Sequence, residues 1–173
     1  MMTHLSFLIR RSVRAALLGF VLGSMVPPVI GEEQRILGAN DHLIHDAARM
    51  GSAKDVEKIL KAVPEARDVK TSQGSQPIHL AASNPDSGPL KVLIAAGADV
   101  NARDLEGVTP LHLAVYIQSA KNAQILLEAS ADPKAKSNAG RDVLSMARKM
   151  MANEAAGVIS LWILKGCQAK KPC

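Results

Sequence analysis

Aromatic side chains are nearly absent from this chain: one Trp, one Tyr and two Phe make up 2% of its 173 residues. With hydrophobic residues at 47% of the chain, a core is feasible, but it must be aliphatic and rich in alanine. Closely stacked helices suit such a core better than a β-sandwich does. Cysteine is almost as scarce. The only two, Cys167 and Cys173, bracket QAKKP, and two thiols cannot complete a four-ligand zinc site. Also missing are a G-x-S-x-G elbow, a phosphate-binding glycine loop and an H-E-x-x-H pair. No catalytic or metal-binding residues are therefore assigned, no cofactor is expected, and an enzyme with an unrecognised site ranks last among the functional readings.

Concentrated positive charge is lacking too. The net charge is +5, but Arg10, Arg11 and Arg14 lie in residues 1–31, which hold no acid. The rest of the chain carries 18 basic against 16 acidic side chains. Only Lys165, Lys170 and Lys171 form a locally basic stretch, and phosphate binding needs a broader basic stripe. Nucleic acid is excluded as the expected partner.

The first residues have the layout of an export signal. A basic stretch ends at Arg14, an apolar run covers residues 15–26, and Pro27 and Pro28 follow it. Val29 and Gly31 fit the small-residue requirement for cleavage before Glu32, and a cut nearer Gly23 and Ser24 is the alternative. The run is short for a membrane span, so residues 1–31 read as a cleaved signal and the protein as periplasmic. A retained N-terminal anchor, making the chain a structural component held at the membrane, is the competing reading. Arg10 and Arg11 form a twin arginine, but Arg14 interrupts the apolar stretch a Tat signal would need. In an oxidising compartment, Cys167 and Cys173 are expected to form a disulfide.

What the chain does have is a period. QPIHLA at 76–81 returns as TPLHLA at 109–114. The apolar residue within this segment recurs as Ile44, Ile78, Leu111 and Leu144, and a small residue as Ala47, Ala81, Ala114 and Ala147, at intervals of 34, 33 and 33. A second set at i, i+3, i+4 recurs as Val56/Ile59/Leu60, Leu90/Leu93/Ile94, Ala123/Leu126/Leu127 and Val158/Leu161/Trp162. Both sets keep the spacing of one helix face, so each unit carries two short amphipathic helices. DLEG (104–107) and SNAG (137–140) are turn-forming. One such unit cannot bury its own face, whereas stacked neighbours can.

GVTPLHLAV (107–115) and AAGADVNARD (95–104) resemble the two most characteristic segments of the ankyrin repeat. The resemblance covers residues 42–166 as about four units, 42–74, 75–107, 108–140 and 141–166, followed by a tail at 167–173. It implies an all-α solenoid of stacked helix-turn-helix units, with β-turn fingers and a concave groove for a protein partner. Departures from the pattern are Ser145 in place of the histidine, a turn lengthened over MMANEAA (150–156), and Gln118 and Pro85 where a glycine usually joins the paired helices. Gly88 and Pro89 should shorten the second helix of the second unit and make that unit the least regular.

The recurring histidine then becomes scaffold. Thr109 reads as an N-cap and Pro110 suits the first helical turn. By the resemblance, His79 and His112 bond neighbouring turn backbone and tie units together. Equivalent positions in stacked units lie about 10 Å apart, too far to share a metal. The resemblance places the partner-binding residues after the alanines, at Arg49/Met50, Ser83/Asn84, Tyr116/Ile117 and Lys149/Met150. The finger tips are Ser72/Gln73, Leu105/Glu106 and Asn138/Ala139, with Val108 and Arg141 beside them. Tyr116, Ile117, Met50, Leu105 and Met150 would form an apolar line edged by Arg49 and Lys149, unless Tyr116 and Ile117 fold inward as core.

Overall fold

The computed structural model describes residues 42–166. The expected export signal at residues 1–31 and the pairing of Cys167 with Cys173 lie outside the described residues. Eight α-helices follow in pairs: α1 Leu43–Met50 with α2 Ala53–Ala62, α3 Pro77–Ala82 with α4 Gly88–Ala95, α5 Pro110–Tyr116 with α6 Ala120–Glu128, and α7 Val143–Lys149 with α8 Asn153–Leu164. A 3₁₀ turn over Pro64–Asp68 follows α2. The fold is an all-α repeat, and the described residues contain no strands beyond an isolated bridge between Lys136 and Asp142. None of the described helices is long and apolar enough to cross a membrane.

Local chemistry sets the helix starts. Pro77 and Pro110 open α3 and α5, where the missing amide proton costs no helical bond. Ser119 Oγ accepts the Asn122 amide at 3.2 Å and Asp142 Oδ1 the Ser145 amide at 2.7 Å, capping α6 and α7. The links within the pairs are short, which makes paired helices antiparallel neighbours.

Stacking builds an inner row, in which α1 packs on α3, α3 on α5 and α5 on α7. In the outer row α2 packs on α4 and α6 on α8. Ile44, Ile78 and Leu111 from the inner row meet Val56, Leu90, Leu93, Leu126, Leu127 and Ile159 from the outer row, all buried. Each leucine or isoleucine buried in full contributes about 1.5–3 kcal/mol. Ala48, Ala81, Ala82, Ala114 and Ala147 are buried with them, and their small size lets the helices approach.

Between units the chain forms fingers. Backbone bonds close each one: Thr71 to Ser75, Asp104 to Val108 and Ser137 to Arg141, at 3.0, 3.1 and 3.0 Å. Each turns on a glycine of positive φ, Gly74, Gly107 or Gly140. Neighbouring fingers are joined by Leu105 N–H to Gln73 O at 3.0 Å and Asn138 N–H to Glu106 O at 2.8 Å.

The second unit is irregular, as its sequence suggests. Its helices α3 and α4 are short, Pro77–Ala82 and Gly88–Ala95, and the turn between them spans residues 83–87. The last unit departs from expectation. The turn is not lengthened over 150–156: α7 ends at Lys149 and α8 starts at Asn153, each one repeat period after the matching end of α5 and start of α6. The apolar set Val158/Leu161/Trp162 is accordingly out of register. Ala155 and Ile159 face the core of the stack, while Leu161 is exposed. Val158 and Trp162 pack half-buried against the core, so on a helix apolar around most of its circumference periodicity alone picked a stripe beside the fully buried one.

Candidate functional site: a concave face between the fingers and the inner helices

Each histidine of the repeat is buried with both ring nitrogens engaged. In His112, Nδ1 accepts from the Thr109 amide at 3.3 Å and lies 2.9 Å from Thr109 Oγ1. An accepting Nδ1 puts the proton on Nε2, which donates to Arg141 O at 3.3 Å. His79 repeats the arrangement with the Gln76 amide at 3.1 Å and Val108 O at 3.2 Å. In each case the acceptor carbonyl belongs to the finger of the next unit. Burial pushes both imidazoles below the usual histidine pKa, because the charged form would lose its hydration. Neutral rings with both nitrogens committed serve as struts at His79 and His112, while Thr109 stands at the N-cap of α5 and Pro110 in its first turn.

His45 is a third strut that the sequence reading passed over. It receives the His42 amide at 3.0 Å on Nδ1 and meets Val69 O at 3.2 Å through Nε2. The signal was present: His45 follows Ile44 as His79 follows Ile78.

The expected surface residues divide. Arg49, Met50, Leu105, Glu106, Tyr116 and Lys149 are exposed, and Tyr116 keeps 58% of its surface in solvent. Ile117 and Met150 are half-buried, with Met150 packed against the core. Ser83 is half-buried and its hydroxyl donates to Leu80 O at 2.8 Å.

Asn84 does not belong to a solvent-facing site. It is 4% exposed, and its side-chain amide donates to Ala48 O at 3.0 Å and Gly51 O at 3.2 Å. Those carbonyls sit at the end of α1, where the helix leaves acceptors without intrahelical partners. Asn122 does the same one unit later, donating to Ala82 O at 3.1 Å and Asn84 O at 2.8 Å. A polar residue at a helix end looked solvent-facing in the sequence, but here it bonds the preceding unit.

Between α5, α7 and the third finger lies a cavity of about 460 Å³. Val108, Leu113, Tyr116, Met146 and Met150 give it a mainly apolar wall, with His112 and Ser137 also lining it and Glu106, Arg141, Ser145 and Lys149 completing it. A smaller cleft of about 310 Å³ runs between the tips of the second and third fingers and shares Glu106, Ser137 and Arg141 with the first. Of the predicted residues, the structure brings together Glu106, Tyr116, Lys149 and Met150 here, with Leu105 in the adjoining cleft. Arg49, Met50 and Ser83 stand outside it. Leu113 and Met146 were missed, although each lies one helical turn before a predicted groove residue.

Ser137 shows how the third finger differs. At the equivalent position of the second finger, Asp104 Oδ1 accepts the Glu106 and Val108 amides at 2.9 and 2.8 Å. In the first, Thr71 Oγ1 accepts those of Gln73 and Ser75 at 3.3 and 3.2 Å. The Ser137 hydroxyl, in a residue only 8% exposed, has no partner. Among the described residues no cluster of histidine, cysteine or carboxylate side chains could hold a metal ion.

Comparison with known proteins agrees with this architecture. The family model of ankyrin repeats (three copies) matches residues 44–137. No curated protein matches the chain.

Proposed function

The chain belongs to the ankyrin-repeat family, a family of protein–protein interaction modules, and we propose that it is a non-catalytic binding protein exported to the bacterial periplasm. The concave face, between the finger tips and the inner helices, receives a protein partner. The observation that carries the reading is the exposure of Tyr116, Leu105 and Met50 on a scaffold whose buried histidines are committed to structure. Apolar side chains held in water at such positions mark interfaces, and tyrosine is enriched where binding energy concentrates. The basic start and short apolar run of residues 1–31 support export. Within this reading the protein is an adaptor or protector of an envelope enzyme, or an immunity protein that occludes a toxic one.

Affinity capture from a periplasmic extract of the native host tests the proposal. The full chain as processed in that host is compared with a Tyr116→Glu/Leu105→Glu variant of unchanged circular dichroism. A protein retained by the parent and lost by the variant supports docking on this face; equal retention removes it. The intact mass of the purified chain separates export with cleavage from the competing reading, a membrane-anchored component that keeps residues 1–31.

A further inference from the structure

We infer that the cavity between α5 and α7 takes an apolar anchor side chain from an extended segment of the partner whose flanking residues are acidic. This rests on the reading of the concave face as the docking surface and names the chemistry recognised there.

Three observations carry it. First, the wall formed by Leu113, Tyr116, Met146 and Met150 offers an apolar group more than water does, and about 460 Å³ falls in the range of ligand-sized pockets, roughly 300–1,000 Å³. Second, the cavity mouth carries two cations, Arg141 and Lys149. Among the described residues neither pairs with a carboxylate, the one ion pair being Arg67 with Asp68. Glu106 is the single anion lining the cavity, so the rim is net positive. Third, the buried Ser137 hydroxyl is unpartnered at the junction with the finger-tip cleft. A turn of its side chain toward the groove would give it a backbone group of the bound segment, and a buried polar group gains most from a bond it otherwise lacks.

Geometry selects an extended segment over a small amphiphile. The cavity opens into a second cleft toward Leu105, so a ligand that fills only the first leaves shared walls in water. Arg141 lies on the third finger two residues before α7 and Lys149 is the last residue of that helix, so the seven residues of α7, roughly 10 Å at helical rise, lie between the two cations. Residues on the same side of an extended strand recur every second position, and four positions span about 13 Å. An apolar residue with a carboxylate two positions to either side therefore presents all three groups to the groove together. Charge-assisted contacts at such a rim set specificity and are weakened by salt.

The test uses short acetylated, amidated peptides with phenylalanine at the centre and Glu, Ser or Lys two positions to either side, plus a Glu-flanked peptide with central serine. Dodecanoate serves as the small amphiphile. Binding to the full chain is followed by fluorescence anisotropy and by amide chemical shifts. The Glu-flanked phenylalanine peptide is expected to bind about tenfold tighter than the Lys-flanked one, with shifts at Leu113, Met146 and Met150 and weakening at raised ionic strength. The Arg141→Glu/Lys149→Glu variant, changed only at exposed positions, should reverse the order of the two peptides. Equal binding of all flanks, binding that ignores the central residue, or occupation of the cavity by dodecanoate but by none of the peptides would each overturn this inference. The docking face itself would still stand if the Tyr116→Glu/Leu105→Glu variant lost a captured partner. Equal capture would remove both.

Discussion

The junctions inside the stack and its C-terminal end are built from the same repeat and finished differently. Inside, the second and third units reach forward through a histidine, His79 to Val108 O and His112 to Arg141 O, while His45 bonds Val69 O within the first unit. At the last unit, Ser145 stands one repeat period after His112, and its hydroxyl bonds Asp142 O of its own cap at 2.9 Å. The two terminal outer helices differ as well. Exposed residues of α2 include Lys54, Asp55, Glu57, Lys58 and Lys61, whereas α8 exposes Leu161 and Leu164, the latter 81% in solvent. Position in the repeat does not by itself dictate a side chain: the histidine that bonds the following finger gives way to a serine that bonds its own cap.

Removing a strut tests that contrast most severely. His112→Ala leaves the Thr109 amide and Arg141 carbonyl without their partner and opens a void, a cost of about 3 kcal/mol from unsatisfied groups and lost packing. Ser145→Ala, at the matching position, should change stability by less than about 0.5 kcal/mol. Urea midpoints at unchanged slope measure both. If the two variants lost similar stability, the histidine would not be acting across the junction.

Acid should act on the same struts. Burial lowers the native pKa of His79 and His112, so the unfolded chain, with histidines near 6.5, takes up protons that the native rings refuse. Stability is complete above about pH 6.5 and is lost as the pH falls from there through the lowered native values. With both rings contributing, the slope reaches at most about 2.7 kcal/mol per pH unit. Urea titrations between about pH 8 and pH 5 should show this fall, with a shallower slope in His112→Asn. A flat profile would mean that the rings protonate in place.

The period was legible because stacking repeats the same demand in every unit, and the residues that meet it, such as Ile78, Leu111 and their alanines, are conspicuous. The register of α8 was not. A helix apolar around most of its surface offers several stripes at i, i+3, i+4, and only the short link over 150–152 selects Ile159 over Val158. The buried asparagines were hidden for another reason. Asn84 is read as exposed until the carbonyls of Ala48 and Gly51 are known to converge on it, and that convergence is tertiary. The candidate site was half legible: exposed Tyr116, Glu106 and Lys149 follow from the repeat frame. Leu113 and Met146 line the cavity because no side chain fills the space between α5 and α7 there, which the chain order does not reveal.

Asn84→Ala should rank next, at about 1–2 kcal/mol, since two helix-end carbonyls lose their donor inside the stack. A glycine pair then separates packing from backbone conformation. Gly107 and Gly140 share a positive φ, of 70° and 73°. A Cβ at Gly107 would collide with Asn138 Oδ1 and an Arg103 nitrogen, whereas at Gly140 nothing lies within 4 Å. Both alanine variants carry the left-handed penalty of about 1 kcal/mol, but only Gly107→Ala must also displace side chains that join two fingers. Arg103 donates to Lys136 O at 2.8 Å and Asn138 to Leu105 O at 2.9 Å. Gly107→Ala should therefore be the more damaging by about a further 1 kcal/mol. Equal losses would show that the interior finger yields as freely as the last.

The smallest effect runs in the opposite direction. Ser130 has φ of 71° and occupies, one unit on, the place of Gly97 at φ 83°. A serine there bears the steric cost that glycine avoids, and its backbone is held by Ser130 N–H to Leu127 O at 2.9 Å and by Asn101 Nδ2 donating to Ser130 O at 3.2 Å. None of these bonds uses its side chain. Ser130→Gly removes the strain and gives back part of the gain by loosening the unfolded chain, for a net stabilisation of about 0.5 kcal/mol. Gln118→Gly removes a similar strain at φ 60° but also the bond from Gln118 Nε2 to Met150 O at 2.9 Å, so it should gain less. A higher urea midpoint for Ser130→Gly than for Gln118→Gly would show that the backbone shape of the glycine survives at both sites. It would also show that only Gln118 has turned its side chain to joining the third unit to the fourth.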